Sequence, residues 1–345
     1  MRIKLLIATT DVDYAGHLSE RISERYADAI SVSVCSSQER MGEMLAAQRY
    51  DVALLEAPLT EVADPRCIHL PMLLWTEDGS DPLDPSNPGD PGEPGTLKRI
   101  SKYQRVSSIV ASVIENFAKS STGGPGADSG KARITAVWSP AGGVGKTTVA
   151  FAYAQKKVTE GKKVLYLNLE LFSSVPVYFR EMGKSISSVF EMLENNEGNI
   201  RMLIQGIKQQ DSGGGLTYFC RPDNFDDMNI LSTGNIAALV DACAGVADEL
   251  VIDMSCACDD RARHVLRLAD RVFLVTDNTI TAQVKLTQFT SQHNVFDQIK
   301  DKTTLVANKG ASAGKPLTNT FIQLPAIQTS DATAVYTTLS GSTFE

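Results

Sequence analysis

The feature that most constrains the fold is one stretch, residues 134–155, which reads ITAVWSPAGGVGKTTVAFAYAQ. Its apolar run at 134–138 predicts a buried strand, and the residues from Lys146 onward predict a helix. The glycines between them allow the backbone to curl its N–H groups inward, where a Cβ would hinder close approach. Free amides and the positive end of the helix dipole then converge on an anion. The residues predicted to cradle that anion are Gly142, Gly143, Val144, Gly145, Lys146, Thr147 and Thr148.

Within this cradle, Lys146 is placed to reach the β- and γ-phosphates of a nucleotide, and the Thr147 hydroxyl to hold Mg²⁺. One position departs from the general G-x-x-x-x-G-K-[ST] spacing, because Pro140 stands where the pattern has glycine. The alternative interpretation is a glycine-rich turn with a chance Lys-Thr pair. The strand before the turn and the helix after it favour the phosphate site.

Composition limits the classes of protein that this chain can represent. It has 345 residues, enough for two domains with separate cores, and a net charge of −8. That charge argues against a dedicated binder of nucleic acid or anionic membrane, because such binding needs clustered Lys and Arg. The six cysteines form no C-x-x-C pair and are expected to be reduced thiols, and the four histidines have no metal-ligand spacing. No secretion signal or membrane-spanning run is visible, so we expect a cytosolic protein.

Residues 1–117 alternate short apolar runs with amphipathic helical patterns, which predicts a parallel sheet covered by helices on both faces. Five strands in this length favour a flavodoxin-like strand order. The predicted strands are 3–8, 30–35, 51–56, 70–75 and 98–101, and the predicted helices are 17–26, 38–48 and 106–117.

The third of these strands ends in DVALLEAP, which places Glu56 at its carboxyl end, while Thr76 and Lys102 follow the fourth and fifth strands. On these positions the unit resembles the receiver domain of response regulators, which accepts a phosphoryl group on an aspartate where Glu56 stands. A glutamate carboxylate lies one methylene too far out, so the resemblance implies a pseudo-receiver that does not turn over phosphate. A generic small α/β domain is the alternative. Two registers of the first loop remain open, one offering Asp11 with Asp13 and the other Thr9 with Thr10.

Two segments lack apolar periodicity. Residues 77–94 contain five prolines and six acidic residues. Because each X-Pro step disfavours helix, we expect an extended acidic loop where receivers have their fourth helix, either as a changed docking surface or as a loop without a partner. Residues 118–131, AKSSTGGPGADSGK, predict a flexible linker, and the second domain then covers 132–345.

Strand and helix patterns alternate again in the second domain, so it too is predicted to be doubly wound. The strand at 163–167 leads into Asn168-Leu169-Glu170, and the apolar strand at 249–254, ELVIDM, carries Asp253 where a carboxylate can hold Mg²⁺ through water. The remaining predicted strands are 216–220, 271–276 and 303–307, and the helices are 147–159, 186–194, 199–209, 235–246, 261–268 and 279–296.

The order of GGVGKTT, LYLNLE, ELVIDM, RVFLVTDNTITA and LVANKG resembles the MinD/ParA superfamily of P-loop ATPases across nearly all of 132–345. With the receiver-like unit in front, the chain is similar to the TadZ/CpaE family of pilus-assembly ATPases, which mark the cell pole for type IVb (Flp/Tad) pilus machinery. The implied fold class is α/β, with an N-terminal flavodoxin-like pseudo-receiver domain and a C-terminal P-loop NTPase domain of MinD/ParA type.

By position, the resemblance implies ATP and Mg²⁺ as cofactors. The triphosphate would lie on residues 142–148, and the metal ion on Thr147 and Asp253. Asn308 would hydrogen-bond the adenine edge, and the turn at Leu324 and Pro325 would flank the ring. The alternatives are a strand-end turn for Asn308 and a helix cap or surface turn for Asp253.

Two departures from the superfamily pattern bear on catalysis, for which the candidates are Lys146, Asp253, Asn168 and Glu170. ParA-type loops read K-G-G-x-G-K, and their first lysine crosses the dimer to the partner's phosphates, but Ala141 occupies that place here. The second strand of such ATPases ends in Asp-x-Asp, where this chain has Asn168-Leu169-Glu170. An amide can hydrogen-bond water but is no general base, so we expect ATP binding with low turnover.

The resemblance therefore implies a positioning factor that forms a homodimer through the second domain and contacts a pilus or secretion motor, or polar proteins, through the first. We expect peripheral association with the cell pole. Because no Lys or Arg follows Lys315, we expect no direct membrane insertion through the C-terminal end. Because the lysines are dispersed in small pairs such as Lys156-Lys157 and Lys162-Lys163, we expect no specific DNA binding. The alternatives are a DNA-partitioning ATPase and a small-molecule kinase or ligase.

Overall fold

The computed structural model describes residues 2–27, 29–76, 97–120, 132–181, 183–195, 198–211, 215–311, 318, 320–329 and 331–344. The chain divides into two compact units, Met1–Thr122 and Gly123–Glu345. The predicted acidic loop at 77–94, and residues 121–131 of the predicted linker, lie outside the described residues. None of the helices in the described ranges has the length and apolar character that a membrane crossing requires.

The first unit contains a five-stranded sheet in the order β2-β1-β3-β4-β5, in which every neighbouring pair is parallel. This is the strand order of flavodoxin-like sheets. The strands are β1 Ile3–Ala8, β2 Ile30–Cys35, β3 Tyr50–Glu56, β4 Ile68–Trp75 and β5 Lys98–Ser101; the helices are α1 Val12–Tyr26, α2 Gln38–Ala47 and α3 Val106–Ser120, with a 3-10 helix at Ala57–Val62.

Two helix boundaries in this unit differ from the predicted ones. Helix α1 begins at Val12 rather than at residue 17, because the Asp11 side chain caps it by accepting from the backbone N–H of Tyr14. Helix α3 continues through 118–120, which had been predicted as linker. The linker prediction is wrong for these three residues, because Phe117 and Ala118 are buried and the core extends the helix beyond its polar sequence signal.

The second unit contains an eight-stranded sheet in the order β13-β12-β11-β6-β10-β7-β9-β8, parallel except for the pair β8-β9. The strands are β6 Arg133–Trp138, β7 Val164–Leu169, β8 Gln209–Gln210, β9 Leu216–Tyr218, β10 Glu249–Met254, β11 Arg271–Thr276, β12 Thr303–Ala307 and β13 Thr320–Gln323. The helices are α4 Lys146–Thr159, α5 Val175–Tyr178, α6 Ser187–Asn195, α7 Ile200–Ile207, α8 Thr233–Ala244, α9 Asp260–Leu268, α10 Ile280–Thr290, α11 His293–Phe296 and α12 Ala332–Ser340, with 3-10 helices at Phe225–Met228 and Lys300–Lys302.

Several elements of this unit depart from the sequence patterns. The single helix predicted at 279–296 is two helices, α10 and α11, and the strand predicted to reach Cys220 ends at Tyr218. Strand β13 and helix α12 were not predicted, because both are short and polar or rich in small residues. Helix α12 packs on α4, where the rings of Tyr336 and Phe151 lie 5.6 Å apart.

Strand β6 lies at the centre of the sheet, between β10 and β11, and helix α4 follows it. Residues 149–154 of α4 are all fully buried, so the helix is enclosed between the sheet and the C-terminal elements. In a parallel sheet the carboxyl ends of the strands share one edge, and ligands bind there. This edge collects the loops that follow β6, β7, β10, β11, β12 and β13. The site residues predicted for this unit lie in these loops, in the first turn of α4 or at the carboxyl ends of β7 and β10.

Candidate functional site

The loop between β6 and α4 is curled by glycines in the left-handed backbone region. Gly143 has φ of 74° and Gly145 has φ of 92°, a region that L side chains enter at a cost. Gly145 is also the residue that precedes α4, so its backbone turns directly into the helix. A Cβ at Gly145 would collide with the Asn308 side-chain amide, whereas a Cβ at Gly142 would meet open space. Glycine is therefore required at 145 for both conformation and space.

The first residues of α4 lie close to the carboxyl end of β10. Lys146 is buried, and Thr147 and Thr148 are half-buried. Thr147 lies beside Asp253 at the end of β10, and both Thr147 and Lys146 act to lower the pKa of that carboxyl. The structure thus brings together three predicted site residues from two elements about a hundred residues apart in the chain.

Asp253 is completely buried, and its two carboxylate oxygens differ in their contacts. Its Oδ2 accepts from the Tyr166 hydroxyl at 2.8 Å and from Nδ2 of Asn168 at 3.4 Å. Its Oδ1 has no hydrogen-bond partner among the residues that the structure describes. Burial, followed by repulsion from Glu170, raises the pKa of Asp253 to about 7. A buried carboxylate oxygen left free beside a threonine hydroxyl fits a hydrated Mg²⁺ ion, which takes oxygen ligands and keeps several waters.

Asn168 and Glu170 lie next to Asp253, on β7 and just after it. Nδ2 of Asn168 donates to the Tyr166 hydroxyl at 3.1 Å, and its Oδ1 accepts from the backbone N–H of Glu170 at 3.1 Å. Burial raises the pKa of Glu170, while Lys146 and Asn168 act to lower it. Both ends of the Asn168 amide are therefore used in hydrogen bonds to its neighbours. Tyr166 was not predicted to belong to the site, since a tyrosine within a buried strand is usually a core residue.

Asn308 approaches the loop from the carboxyl end of β12. It is buried, and its Nδ2 donates to the Val144 carbonyl at 3.0 Å. Leu324 is held beside it, because Leu324 N–H donates to the Ala307 carbonyl and Gly310 N–H donates to the Leu324 carbonyl. Pro325 follows on the exposed surface. The predicted contacts of Asn308 and Pro325 with adenine remain predictions.

Sequence reasoning missed Lys309 and Asp277. Nζ of Lys309 donates to the Gly143 carbonyl at 2.6 Å and pairs with Oδ2 of Asp277 at 3.1 Å. Burial would raise the pKa of Asp277, but hydrogen bonds from Thr279 and Lys309 outweigh it and lower that pKa. Both residues directly follow or nearly follow buried strands, which was the available signal. Ala141, where ParA-type loops have lysine, is buried.

The first unit has a separate polar cluster at the end of β3. Glu56 Oε2 accepts from the Thr10 backbone N–H at 2.7 Å and from the hydroxyls of Thr10 at 2.7 Å and Thr9 at 3.0 Å. Its Oε1 accepts from Lys102 at 3.0 Å, and Lys102 also pairs with Asp11 at 3.2 Å. Burial would raise the pKa of Glu56, but these hydrogen bonds outweigh it and hold the pKa at about 2.

This cluster decides between the two registers of the first loop. Thr9 and Thr10 contact Glu56, Asp11 faces Lys102, and Asp13 lies exposed in the first turn of α1. Thr76 lies half-buried after β4. The Glu56 carboxylate at the end of β3 thus already has four hydrogen-bond donors.

We predict that replacing the loop glycines by alanine destabilises the second unit in a fixed order. Gly142→Ala should change the free energy of unfolding by less than about 0.5 kcal/mol, and Gly143→Ala should cost about 1–2 kcal/mol for the left-handed backbone. Gly145→Ala should cost more than either, because it adds the collision with Asn308. Urea unfolding followed by the fluorescence of Trp138, in a Trp75→Phe background, measures all three. An equal cost at 142 and 145 would contradict this account.

We predict that Glu56→Gln destabilises the first unit by about 1–3 kcal/mol at neutral pH, since it weakens charged hydrogen bonds. The lowered pKa of Glu56 means that its contribution is complete above the ordinary pKa of 4.5 and is lost as pH falls toward about 2. The difference between wild type and variant should therefore shrink below pH 4.5. Trp75 fluorescence in a Trp138→Phe background reports this unfolding.

The matched control is Glu43→Gln, which removes an exposed carboxylate paired with Arg40 on α2. It should change stability little at any pH. A difference for Glu56→Gln that stayed constant down to pH 2 would show that its carboxylate is not the stabilising species.

No family model matches the chain, and no curated protein matches it. Among solved structures, it is similar to a ParA family ATPase from Chlorobium tepidum TLS, with a TM-score of 0.49 and 15% identity over 60% of this chain and 98% of that chain. It is also similar to a putative plasmid partition protein from Borrelia burgdorferi B31 bound to AMPPNP, with a TM-score of 0.47 and 14% identity over 61% and 97%. A third is the septum site-determining protein MinD complexed with Mg-ADP from Pyrococcus horikoshii OT3, with a TM-score of 0.46 and 14% identity over 61% and 94%.

Proposed function

We propose that the second unit binds ATP with Mg²⁺ and hydrolyses it slowly. The observation that carries this proposal is the buried, partnerless Oδ1 of Asp253 beside Thr147, at the base of a loop whose glycines curl into a helix N-terminus. A metal-bound water would satisfy that oxygen. A softer or redox-active transition metal is disfavoured, because such metals prefer thiolate or imidazole ligands, whereas an oxygen-only donor set suits magnesium.

Slow turnover follows from how Asn168 is used. Its amide holds Tyr166 and the Glu170 backbone, and it carries no charge with which to orient or activate an attacking water. Glu170 is the remaining carboxylate beside Lys146, and burial already raises its pKa. The residues present therefore favour holding the nucleotide over consuming it.

We further propose that the chain is a dimerising localisation factor for a type IVb (Flp/Tad) pilus or a related secretion machinery at the cell pole. The sequence resemblance of both units supports this role, with homodimerisation through the second unit and partner recognition through the first. The Glu56 carboxylate already accepts hydrogen bonds from Thr9, Thr10 and Lys102. This supports a first unit that a partner recognises without phosphorylation.

A DNA-partitioning ATPase is the alternative. It needs free basic side chains on one face. Helix α9 of the second unit carries three arginines, and two of them are paired, Arg261 with Asp259 and Arg263 with Asp260. These pairings lower the positive potential of that helix and do not favour DNA binding.

The nucleotide proposal predicts that ATP binds wild-type protein more tightly with Mg²⁺ than with EDTA. Asp253→Asn should remove this difference, because the amide cannot neutralise the ion, and Lys146→Ala should weaken binding in both buffers. Titration calorimetry measures the affinities, and light scattering with and without ATP tests whether the dimer depends on nucleotide. Steady turnover should stay at about one per minute or below, the scale of unstimulated P-loop hydrolases. Equal Mg²⁺ dependence in wild type and Asp253→Asn would refute the assigned metal site.

The localisation proposal predicts that a fluorescent fusion of the full chain gathers at the pole of a cell with the pilus machinery, and that residues 1–120 alone do so too. Residues 132–345 alone should be diffuse. Polar foci formed by residues 132–345 alone would contradict the proposal that the first unit recognises the pole.

A further inference from the structure

The dipeptide Asn308-Lys309 contacts two consecutive carbonyls of the phosphate loop. Nδ2 of Asn308 donates to the Val144 carbonyl at 3.0 Å, and Nζ of Lys309 donates to the Gly143 carbonyl at 2.6 Å. The loop lies after β6, and the dipeptide follows β12, two positions away in the sheet. These are tertiary contacts between segments more than 160 residues apart in the chain.

Each contact fixes the direction of the next amide in the loop. A trans peptide is planar, so the carbonyl of one residue and the N–H of the following residue point to opposite sides. Holding the Gly143 carbonyl outward therefore turns the Val144 N–H inward, and holding the Val144 carbonyl outward turns the Gly145 N–H inward. Within the described residues, neither of these two N–H groups donates to a protein acceptor.

We propose that Asn308 and Lys309 are positioning residues for phosphate binding, which orient two adjacent amides of the loop toward the anion before it arrives. This inference rests on the proposed nucleotide site and goes beyond it, because it makes the β12 end a part of the phosphate site as well as of the base site. It assigns Asn308 a contribution that does not require adenine.

Two further observations support the assignment. Lys309 has φ of 56°, and among the described residues it is the one non-glycine with positive φ. Such a conformation persists where the surroundings determine it, and here it directs the side chain back across the loop. The ammonium is then held at its other side by Asp277, a buried carboxylate fixed in turn by the backbone N–H and hydroxyl of Thr279.

The contact between Asp277 and Lys309 allows two possible roles of Lys309 to be distinguished, namely positioning of the loop and electrostatic attraction of the phosphates. If Lys309 acted only as a positive charge near the phosphates, removing the nearby Asp277 carboxylate would strengthen anion binding. If Lys309 acts by holding the Gly143 carbonyl, loss of its anchor weakens binding. Asp277→Asn keeps the acceptor that Thr279 uses, and so tests the sign of the effect directly.

The experiment compares ATP with inorganic tripolyphosphate, which carries the phosphates without adenine or ribose, by titration calorimetry on the full chain. We expect Asn308→Ala and Lys309→Met each to weaken both ligands by a similar factor, roughly threefold to tenfold, the size expected for one hydrogen bond. Asp277→Asn should weaken both ligands in the same way. Lys302→Met is the matched control, because Lys302 also donates to two carbonyls but lies at the opposite end of β12; it should leave both affinities unchanged.

Three results would overturn the inference. Asn308→Ala could weaken ATP and leave tripolyphosphate unchanged, which would confine Asn308 to the base. Asp277→Asn could increase the affinity for tripolyphosphate, which would mean that Lys309 acts only through its positive charge. Lys309→Met could leave both affinities unchanged, as Lys302→Met does, which would show that Lys309 does not contribute to phosphate binding. The Lys309 side chain is half exposed, so its replacement should not disturb the core. Wild-type protein that bound neither ligand would instead refute the proposed nucleotide site itself.

Discussion

The second unit depends on one close approach, that of Asn308 to the backbone of Val144 and Gly145. The Asn308 amide fills the space that a Cβ at Gly145 would need, and it satisfies the Val144 carbonyl. A buried carbonyl without a partner would cost about as much as a lost hydrogen bond. Glycine at 145 and asparagine at 308 therefore depend on each other. Their contact also requires β12 to lie two positions from β6 in the sheet, with β11 between them.

Much of this arrangement could be predicted from local sequence. Apolar runs in the sequence predict the buried strands β6, β10, β11 and β12, and the glycine spacing before Lys146 predicts a curled loop. Asp253 could be placed because it ends an apolar strand, and the parallel sheet then brings it to the edge that receives the loop. These are inferences from periodicity and chain direction, which the sequence carries explicitly.

What could not be predicted is decided by contacts between distant segments. Tyr166 reads as a core residue of β7, and only the sheet register, which pairs Leu167 with Ile252 and Asn168 with Asp253, shows that its hydroxyl meets a carboxylate. Lys309 reads as a surface lysine until its left-handed backbone turns it toward Gly143. Helix α3 runs past its predicted end for a similar reason, because the buried Ala118 belongs to the core and not to the linker.

The contacts of Glu56 explain what its longer side chain does at the end of β3. The extra methylene of glutamate, which suggested a poor phosphoacceptor, carries the carboxylate out to the Thr10 amide and to Lys102. The shorter side chain of an aspartate at the same backbone position would place its carboxylate one methylene farther from those donors. Glutamate supplies the negative charge itself, so the donors are already saturated and the pKa of the carboxyl falls to about 2.

Asn168 in the second unit is the opposite case, because there a neutral side chain stands beside two carboxyl groups. Asp253 and Glu170 already lie close enough to repel each other, and burial raises the pKa of both. A carboxylate at 168, where Nδ2 of Asn168 now lies 3.4 Å from Oδ2 of Asp253, would add to that repulsion. The neutral amide instead donates to Tyr166, which in turn donates to Asp253. The amide therefore adds no charge at this position and helps to hold the Asp253 carboxylate through Tyr166.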